Sequence, residues 1–200
     1  MKISTERLVI RPFVETDKEA LISIISNPQV MRFSLKGSIT IEEAREQLCD
    51  KNISFYENED YGMLALTRKI DDVLIGYAGL LKQEIDGEQK IEISYRLHPD
   101  YWKQGFAIEA TKAIIDYAFM ILKLKELIAI IDPDNIDSIK VAVKLGMRIS
   151  KSTIFHGISV VIYHLSVSEA APKNRLVEMS NLISSKRKGK KSTVGIKTSS

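Results

Sequence analysis

The chain has 200 residues, 44% apolar and 28% charged, with a single cysteine; this describes one ordinary domain, able to bury roughly two thirds of its surface, without an internal disulfide. Its formal charge of +3 is unevenly spread, because residues 1–167 hold 21 Lys and Arg against 24 Asp and Glu, while residues 168–200 hold 8 against 2. His98, His156 and His164 form no ligand set at zinc-like spacing, no apolar run reaches the roughly 18 residues of a membrane span, and charges interrupt any leader-like core in MKISTERLVIRP, so a reducing, cytoplasmic setting is expected.

Residues 7–13, RLVIRPF, are short and β-branched and predict a first strand with Pro12 at its end. A helix follows over TDKEALISIIS, where Thr16 and Glu19 stand at capping-box spacing and Leu21, Ile24 and Ile25 make the apolar stripe; Asn27-Pro28 ends it. TIEEAREQLCDKNISFY repeats the device, with Thr40 and Glu43 as the box and Ile41, Ala44, Leu48 and Phe55 on the buried side. Cys49 adjoins that side mid-helix, without the basic or helix-N-terminal surroundings that activate a thiol, so a structural role is expected.

From Tyr61 to Leu97 the period shortens to that of strands. YGMLALTR, DVLIGYAGLL and KIEISYRL, joined by Asp71-Asp72 and Asp86-Gly87, predict an antiparallel meander of three strands. GFAIEATKAIIDYAFMIL then places Phe106, Ala110, Ala113, Ile114, Tyr117 and Ile121 at helical spacing. ELIAIID predicts a buried strand, NIDSIKVAVKLGM a helix closed by Gly146, and ISVVIYHLSV a late strand. Strand, long helix, strand, helix and strand appended to a meander make a mixed α/β fold with a parallel β-α-β crossover. The domain is expected over 1–167, followed by a basic tail, 168–200, with one short helix at 172–183 and disorder beyond.

Two helix starts carry the chemistry. Lys103-Gln104-Gly105-Phe106-Ala107 leads from a strand end into the long helix, where unpaired N–H groups, the positive end of the helix dipole and a bare glycine suit a pyrophosphate. Gly105 is equally what any tight turn would use. Asn135 and Ser138 open the next helix; the same spacing is that of an ordinary N-cap. Both helix starts follow strands adjacent in the crossover, where ligands of open α/β sheets gather.

EISYRLHPDYWKQGFAIEA, preceded by TERLVIRPF and followed by DPDNIDSIKVAVKLGM, resembles the GNAT N-acetyltransferase superfamily, most closely its ribosomal-protein alanine N-acetyltransferase-like branch, over about 1–167. The resemblance implies a GNAT-like acyl-CoA N-acyltransferase fold and acetyl transfer from acetyl-CoA, the co-substrate, to a primary amine, either a protein N-terminal α-amine or a small amine, with no metal. It implies that the pantetheine arm lies between two parting strands and pairs with the backbone at Ile93, Tyr95 and Leu97. It further implies pyrophosphate on Lys103, Gln104, Gly105, Phe106 and Ala107, with Asn135 and Ser138 on the cofactor side. Trp102 stands where the wider superfamily has Arg or Gln and the closer branch often has an aromatic residue. Ala142 stands where many members carry the tyrosine that protonates the departing thiolate, so that acid is missing.

An already activated thioester leaves the enzyme to hold the amine, polarise the carbonyl and supply a neutral nucleophile. Glu92, set between Ile91 and Ile93, is the candidate general base, acting through a water and sharing a strand face with Ser94 and Arg96. Pairing with Arg96 or simple exposure are its other readings. Ser138 and Tyr163 are candidates for the acid, beside solvent, and His98 reads as a solvated loop residue. Acceptor-binding loops are expected in the first two helices and near 152–159. The alternative function is a non-catalytic acyl-CoA-binding domain whose KRKGKK tail contacts RNA or ribosomes. No membrane contact is expected, and the assembly is a monomer or homodimer.

Overall fold

The computed structural model describes residues 2–34, 37–50 and 62–170, the side chains of 46–50 excepted. Its eight strands form one sheet in the order β1-β2-β3-β4-β5-β6-β8-β7. They are β1 (Ile3–Ser4), β2 (Leu8–Arg11), β3 (Met63–Arg68), β4 (Leu74–Ile85), β5 (Glu88–Leu97), β6 (Glu126–Ile131), β7 (Arg148–Phe155) and β8 (Ile158–Ser166). All neighbours run antiparallel except β5 and β6, which the long helix α4 (Phe106–Met120) connects. Helices α1 (Lys18–Ile25), α2 (Pro28–Met31) and α3 (Ile41–Asp50) lie between β2 and β3 in sequence, α5 (Ile136–Lys144) follows β6, and a one-turn α6 (Val167–Ala170) follows β8. The mixed α/β class and the meander with its crossover are those expected.

Local chemistry explains the joints. Asp86-Gly87 and His156-Gly157 have φ of 51° and 81°, and 49° and 82°, the paired left-handed residues of a two-residue hairpin whose twist matches the strands. α5 ends in a Schellman motif: Gly146 at φ 86° lets its N–H reach Val143 and that of Met147 reach Ala142, both at 3.0 Å.

One face of the sheet packs on α4 and α5 through Leu8, Leu64, Leu80, Ile93, Leu127 and Leu165, all buried against Phe106, Ala110 and Ile114. The opposite face carries two separate apolar clusters. One joins α1–α3 to Ala65 and Leu74, and the other gathers Ile85, Ile128, Phe155, Val160 and Ile162 around the β7/β8 hairpin. Between them, Tyr77, Gly79, Leu81 and Gln83 of β4 lie beside Glu92, Ser94 and Arg96 of β5, because Leu81 pairs with Glu92, Gly79 with Ser94 and Tyr77 with Arg96. Among the described residues no helix is long and apolar enough to cross a membrane.

Several local expectations need correction. A strand precedes the predicted first one, since Ile3 pairs with Ile10. The Thr16/Glu19 box does not form. Thr16 sits inside a 3-10 turn, and buried Asp17 takes over, accepting the Val14 N–H at 2.8 Å and the Arg11 guanidinium at 2.6 and 2.9 Å. Asn27-Pro28 ends α1 but also starts α2, where Asn27 Oδ1 accepts the Gln29 N–H at 2.9 Å. The Thr40/Glu43 box does form, at 3.1 and 2.7 Å, yet Ile41 is 48% exposed because it stands at the first helical position, outside the packed side. The Leu48 and Cys49 side chains, Phe55 and the helix expected at 172–183 lie outside the described residues. On α4 the buried face runs through Phe106, Ala110, Ile114 and Ala118, flanked by Thr111, Ile115 and Phe119, which leaves Ile121 exposed. The segment near 152–159 is two paired strands and their turn, and β8 inserts antiparallel between β6 and β7.

Candidate active site

The parallel neighbours β5 and β6 share only one in-register pair, Glu92 with Ile128. Beyond it the strands part. In a strand the polar groups of successive residues point to opposite neighbours, and the His98 N–H donates to the Ile75 carbonyl on the β4 side at 2.9 Å. The alternation therefore turns the backbone of Ile93, Tyr95 and Leu97 toward β6. Two of their carbonyls are occupied, that of Tyr95 by Arg96 Nη1 at 3.1 Å and that of Leu97 by the Trp102 indole N–H at 2.7 Å. The Tyr95 and Leu97 amides remain aimed into the opening, as strand-like donors for an extended ligand.

Past Leu97 a 3-10 turn, Pro99–Tyr101, and the exposed Trp102 lead to the start of α4. Lys103 and Gly105 both take left-handed conformations, φ 58° and 84°; Gly105 is the N-cap of α4 and, having no side chain, leaves the first-turn N–H groups uncapped. An anion meets these amides and the helix dipole there. Arg7 supports the turn from β2's approach. Its Nη1 donates to the Gln104 carbonyl at 3.0 Å, its Nε pairs with Glu109 at 2.7 Å, and its guanidinium lies 4.3 Å over the Phe106 ring. Burial opposes the charge of Glu109, but hydrogen bonds from Thr5, the Arg7 amide and the Arg7 guanidinium outweigh it and hold its carboxyl below the usual range.

At the second helix start, Asn135 Oδ1 caps α5 by accepting the Ser138 N–H at 3.1 Å. Ser138 Oγ lies 3.3 Å from the Tyr95 hydroxyl, so a side chain of β5 and one of α5 meet across the opening. Ala142, one turn further along α5, is buried in the core.

Glu92 is 9% exposed and faces away from α4. Burial pushes its carboxyl up to about 6, although the Gln83 amide at 2.7 Å, the Arg96 charge and the Ile130 N–H all favour ionisation. Its carboxylate thus spans from β4 to β6 where the strands begin to part. Tyr163 is 4% exposed within the core on the α4 side, and His98 Nδ1 accepts the Asp100 N–H at 3.4 Å. The structure therefore brings together Ile93, Tyr95, Leu97, Asn135, Ser138 and Glu92 around one opening, sets Lys103–Ala107 at its end, and keeps Tyr163 apart. Sequence reasoning missed Arg7, Gln83 and the anchoring role of Trp102. Only Arg7 carried a signal, as a cation within the quoted TERLVIRPF. Among the described residues no group of three or more His, Cys, Asp or Glu side chains is placed to hold a metal.

A family model described as "Acetyltransferase (GNAT) domain" matches residues 7–148. YnaD of Bacillus subtilis (strain 168), an uncharacterized N-acetyltransferase, is 34% identical over 148 residues, 74% of this chain and 83% of that protein. Spermidine N(1)-acetyltransferase of Escherichia coli (strain K12) is 26% identical over 147 residues, 73% of this chain and 75% of that one. Among solved structures, a GNAT-family acetyltransferase from Bacillus anthracis matches with TM-score 0.70 and 28% identity, over 84% of this chain and all 100% of its own. Spermidine N-acetyltransferase from Vibrio cholerae, in complex with CoA and spermine, shares the fold at TM-score 0.66 and 16% identity, over 82% and 97%.

Proposed function

The chain belongs to the GNAT acetyltransferase family and is an N-acetyltransferase, and on that premise we propose that acetyl-CoA enters the opening between β5 and β6 and that a primary amine, a protein N-terminal α-amine or a small amine, attacks from the Glu92 face. The observation that carries this reading is the parted strand pair, with the Tyr95 and Leu97 amides turned into the gap beside an uncapped, left-handed helix start. The residues fit the coenzyme. Lys103, Gln104, Gly105, Phe106 and Ala107 hold the pyrophosphate, Ile93, Tyr95 and Leu97 pair with the pantetheine arm, and Asn135 and Ser138 line the far side. Acetyl-CoA supplies an activated acyl group.

What remains for the chain is proton management and alignment. A lysine-like amine of pKa about 10.4 costs roughly 4–5 kcal/mol to deprotonate at pH 7, whereas an α-amine near 7.7–8.0 costs only about 1 kcal/mol. Glu92, titrating at about 6, is half-matched to the second task and accepts the proton through a water. The departing thiolate needs a proton from the other side. Ser138, hydrogen-bonded to the Tyr95 phenol, is the acid-side group, and burial keeps that phenol protonated. Tyr163 takes no part. Base and acid thus stand on opposite faces of one sheet, with the gap between them as the reaction path.

A calorimetric titration of acetyl-CoA, followed by CoA release with a panel of α-amines, polyamines and peptides, tests the proposal. Tight binding and amine-dependent release are expected; folded protein that ignores the coenzyme would overturn it. For the finer acceptor, the resemblance to ribosomal-protein alanine acetyltransferases and the 26% identity to a spermidine acetyltransferase point in different directions, and the panel separates them.

A further inference from the structure

The acceptor face holds a second charged group that the proton transfers leave unused. Arg96 lies on the same face as Glu92, opposite Tyr77 on β4, and is partly buried. Its Nη1 is fixed at the edge of the opening by the Tyr95 carbonyl. Arg7, Arg11, Arg45, Arg68 and Arg148 each hold a carboxylate within ion-pair distance; Arg96 holds none among the described residues. Glu92 is occupied instead by Gln83 and by the Ile130 N–H. The Nε and Nη2 edge of Arg96 is therefore a planar donor pair without a partner among the described residues, the geometry that receives a carboxylate with two parallel hydrogen bonds. Lys90, the next cation on that face, is taken up by Glu88 and Glu126.

We infer that the acceptor is a small amine that also carries a carboxylate, with its amine toward Glu92 and its carboxylate on Arg96. The inference rests on the assignment of the Glu92 face to the acceptor. Among the described residues, the strip between the two apolar clusters offers one carboxylate, itself buried and hard to ionise, and one arginine. A polyamine would bring its second cation against Arg96 and find no further anion among the described residues of that strip, whereas a carboxylate-bearing amine leaves neither charge unmatched.

Matched acceptors test this directly: lysine against cadaverine, ornithine against putrescine, and a dipeptide against its C-terminal amide, with spermidine beside them. Wild-type kcat/KM is expected to favour the carboxylate-bearing partner by about 10- to 150-fold, the worth of a charge-assisted hydrogen bond. Arg96→Met should erase that preference while leaving acetyl-CoA affinity within about twofold, and Arg96→Lys should restore part of it. Equal rates within the pairs, a preference for spermidine, or no turnover of any carboxylate-bearing amine by protein that binds acetyl-CoA would overturn the inference alone. Arg96→Met that weakens acetyl-CoA and slows every acceptor alike would also overturn it, by assigning the guanidinium to the coenzyme. Failure of the wild type to bind acetyl-CoA sinks the broader reading instead.

Discussion

Glu92 couples activity to stability through one buried charge. Folded Glu92 titrates at about 6 against an ordinary 4.5, so between those values the folded chain keeps a proton that the unfolded chain has released. The stability this contributes is complete below about 4.5 and is lost as pH rises through about 6, a difference of roughly 2 kcal/mol. Glu92→Gln should therefore gain on wild type in thermal midpoint as pH is raised from 4.5 to 7, while kcat/KM falls by about 10²- to 10³-fold and loses its ionisation near 6. A variant whose midpoint tracks wild type at every pH would show that the carboxyl is not titrating where it is placed. Tyr95→Phe addresses the other face. It should cut kcat at least about tenfold with acetyl-CoA affinity unchanged, and an acyl donor with a more acidic thiol should narrow the deficit, because such a leaving group needs less protonation. At this scale the sequence was legible where the cause is local. Gly105 and Asn135 announce a left-handed turn and a cap by residue type alone. Gln83 and the Ile130 N–H reach Glu92 only through strand register, across 9 residues in the first case, and nothing near Glu92 in the sequence encodes that.

Elements are held by a few polar joints that can be tested singly. The reciprocal Thr40/Glu43 box closes the first turn of α3; Thr40→Ala should cost about 1 kcal/mol, a drop of about 2–4 °C in thermal midpoint for a chain this long, with acetyl-CoA affinity unchanged. Arg7 has the opposite signature. It ties β2's approach to Glu109 of α4 and to the Gln104 carbonyl, so Arg7→Met should weaken acetyl-CoA by about tenfold, or 1.4 kcal/mol, in protein that stays folded, as calorimetry would read. The long helix and the meander were legible because their apolar periods are regular and the meander's turns carry Asp71-Asp72 and Asp86-Gly87. β7 was not. RISKSTIF is mostly exposed along its length and shows no apolar run, since an edge strand needs to bury only one part of one face. The missed Thr16 box has a similar origin: Asp17 offered a better partner in Arg11, six residues back, and a tertiary ion pair displaced a local motif.

The described residues build one sheet whose two faces do different work, with a large apolar cluster under α4 on one face and two smaller clusters on the flanks of the other. Beyond the expected boundary at 167 the one-turn α6 runs to Ala170 with no buried residue, and Glu169 receives hydrogen bonds from Ser166. A chain cut after Ala170 should keep its thermal midpoint and its acetyl-CoA affinity within about twofold, while any salt-dependent RNA binding by the basic tail should disappear; a cut chain that fails to fold would place part of the core beyond 170. Fold class followed from element order alone, yet the strand parting that makes the site is a property of pairing, which the residues themselves do not spell out and which was expected only through the family resemblance. The chain's lone indole sits on that seam, bonded to the Leu97 carbonyl at the end of β5. Intrinsic emission from this protein is consequently a local gauge: its wavelength and intensity register coenzyme docking and fraying at the end of β5, and an unfolding curve followed by fluorescence reports that junction before it reports the remainder of the structure.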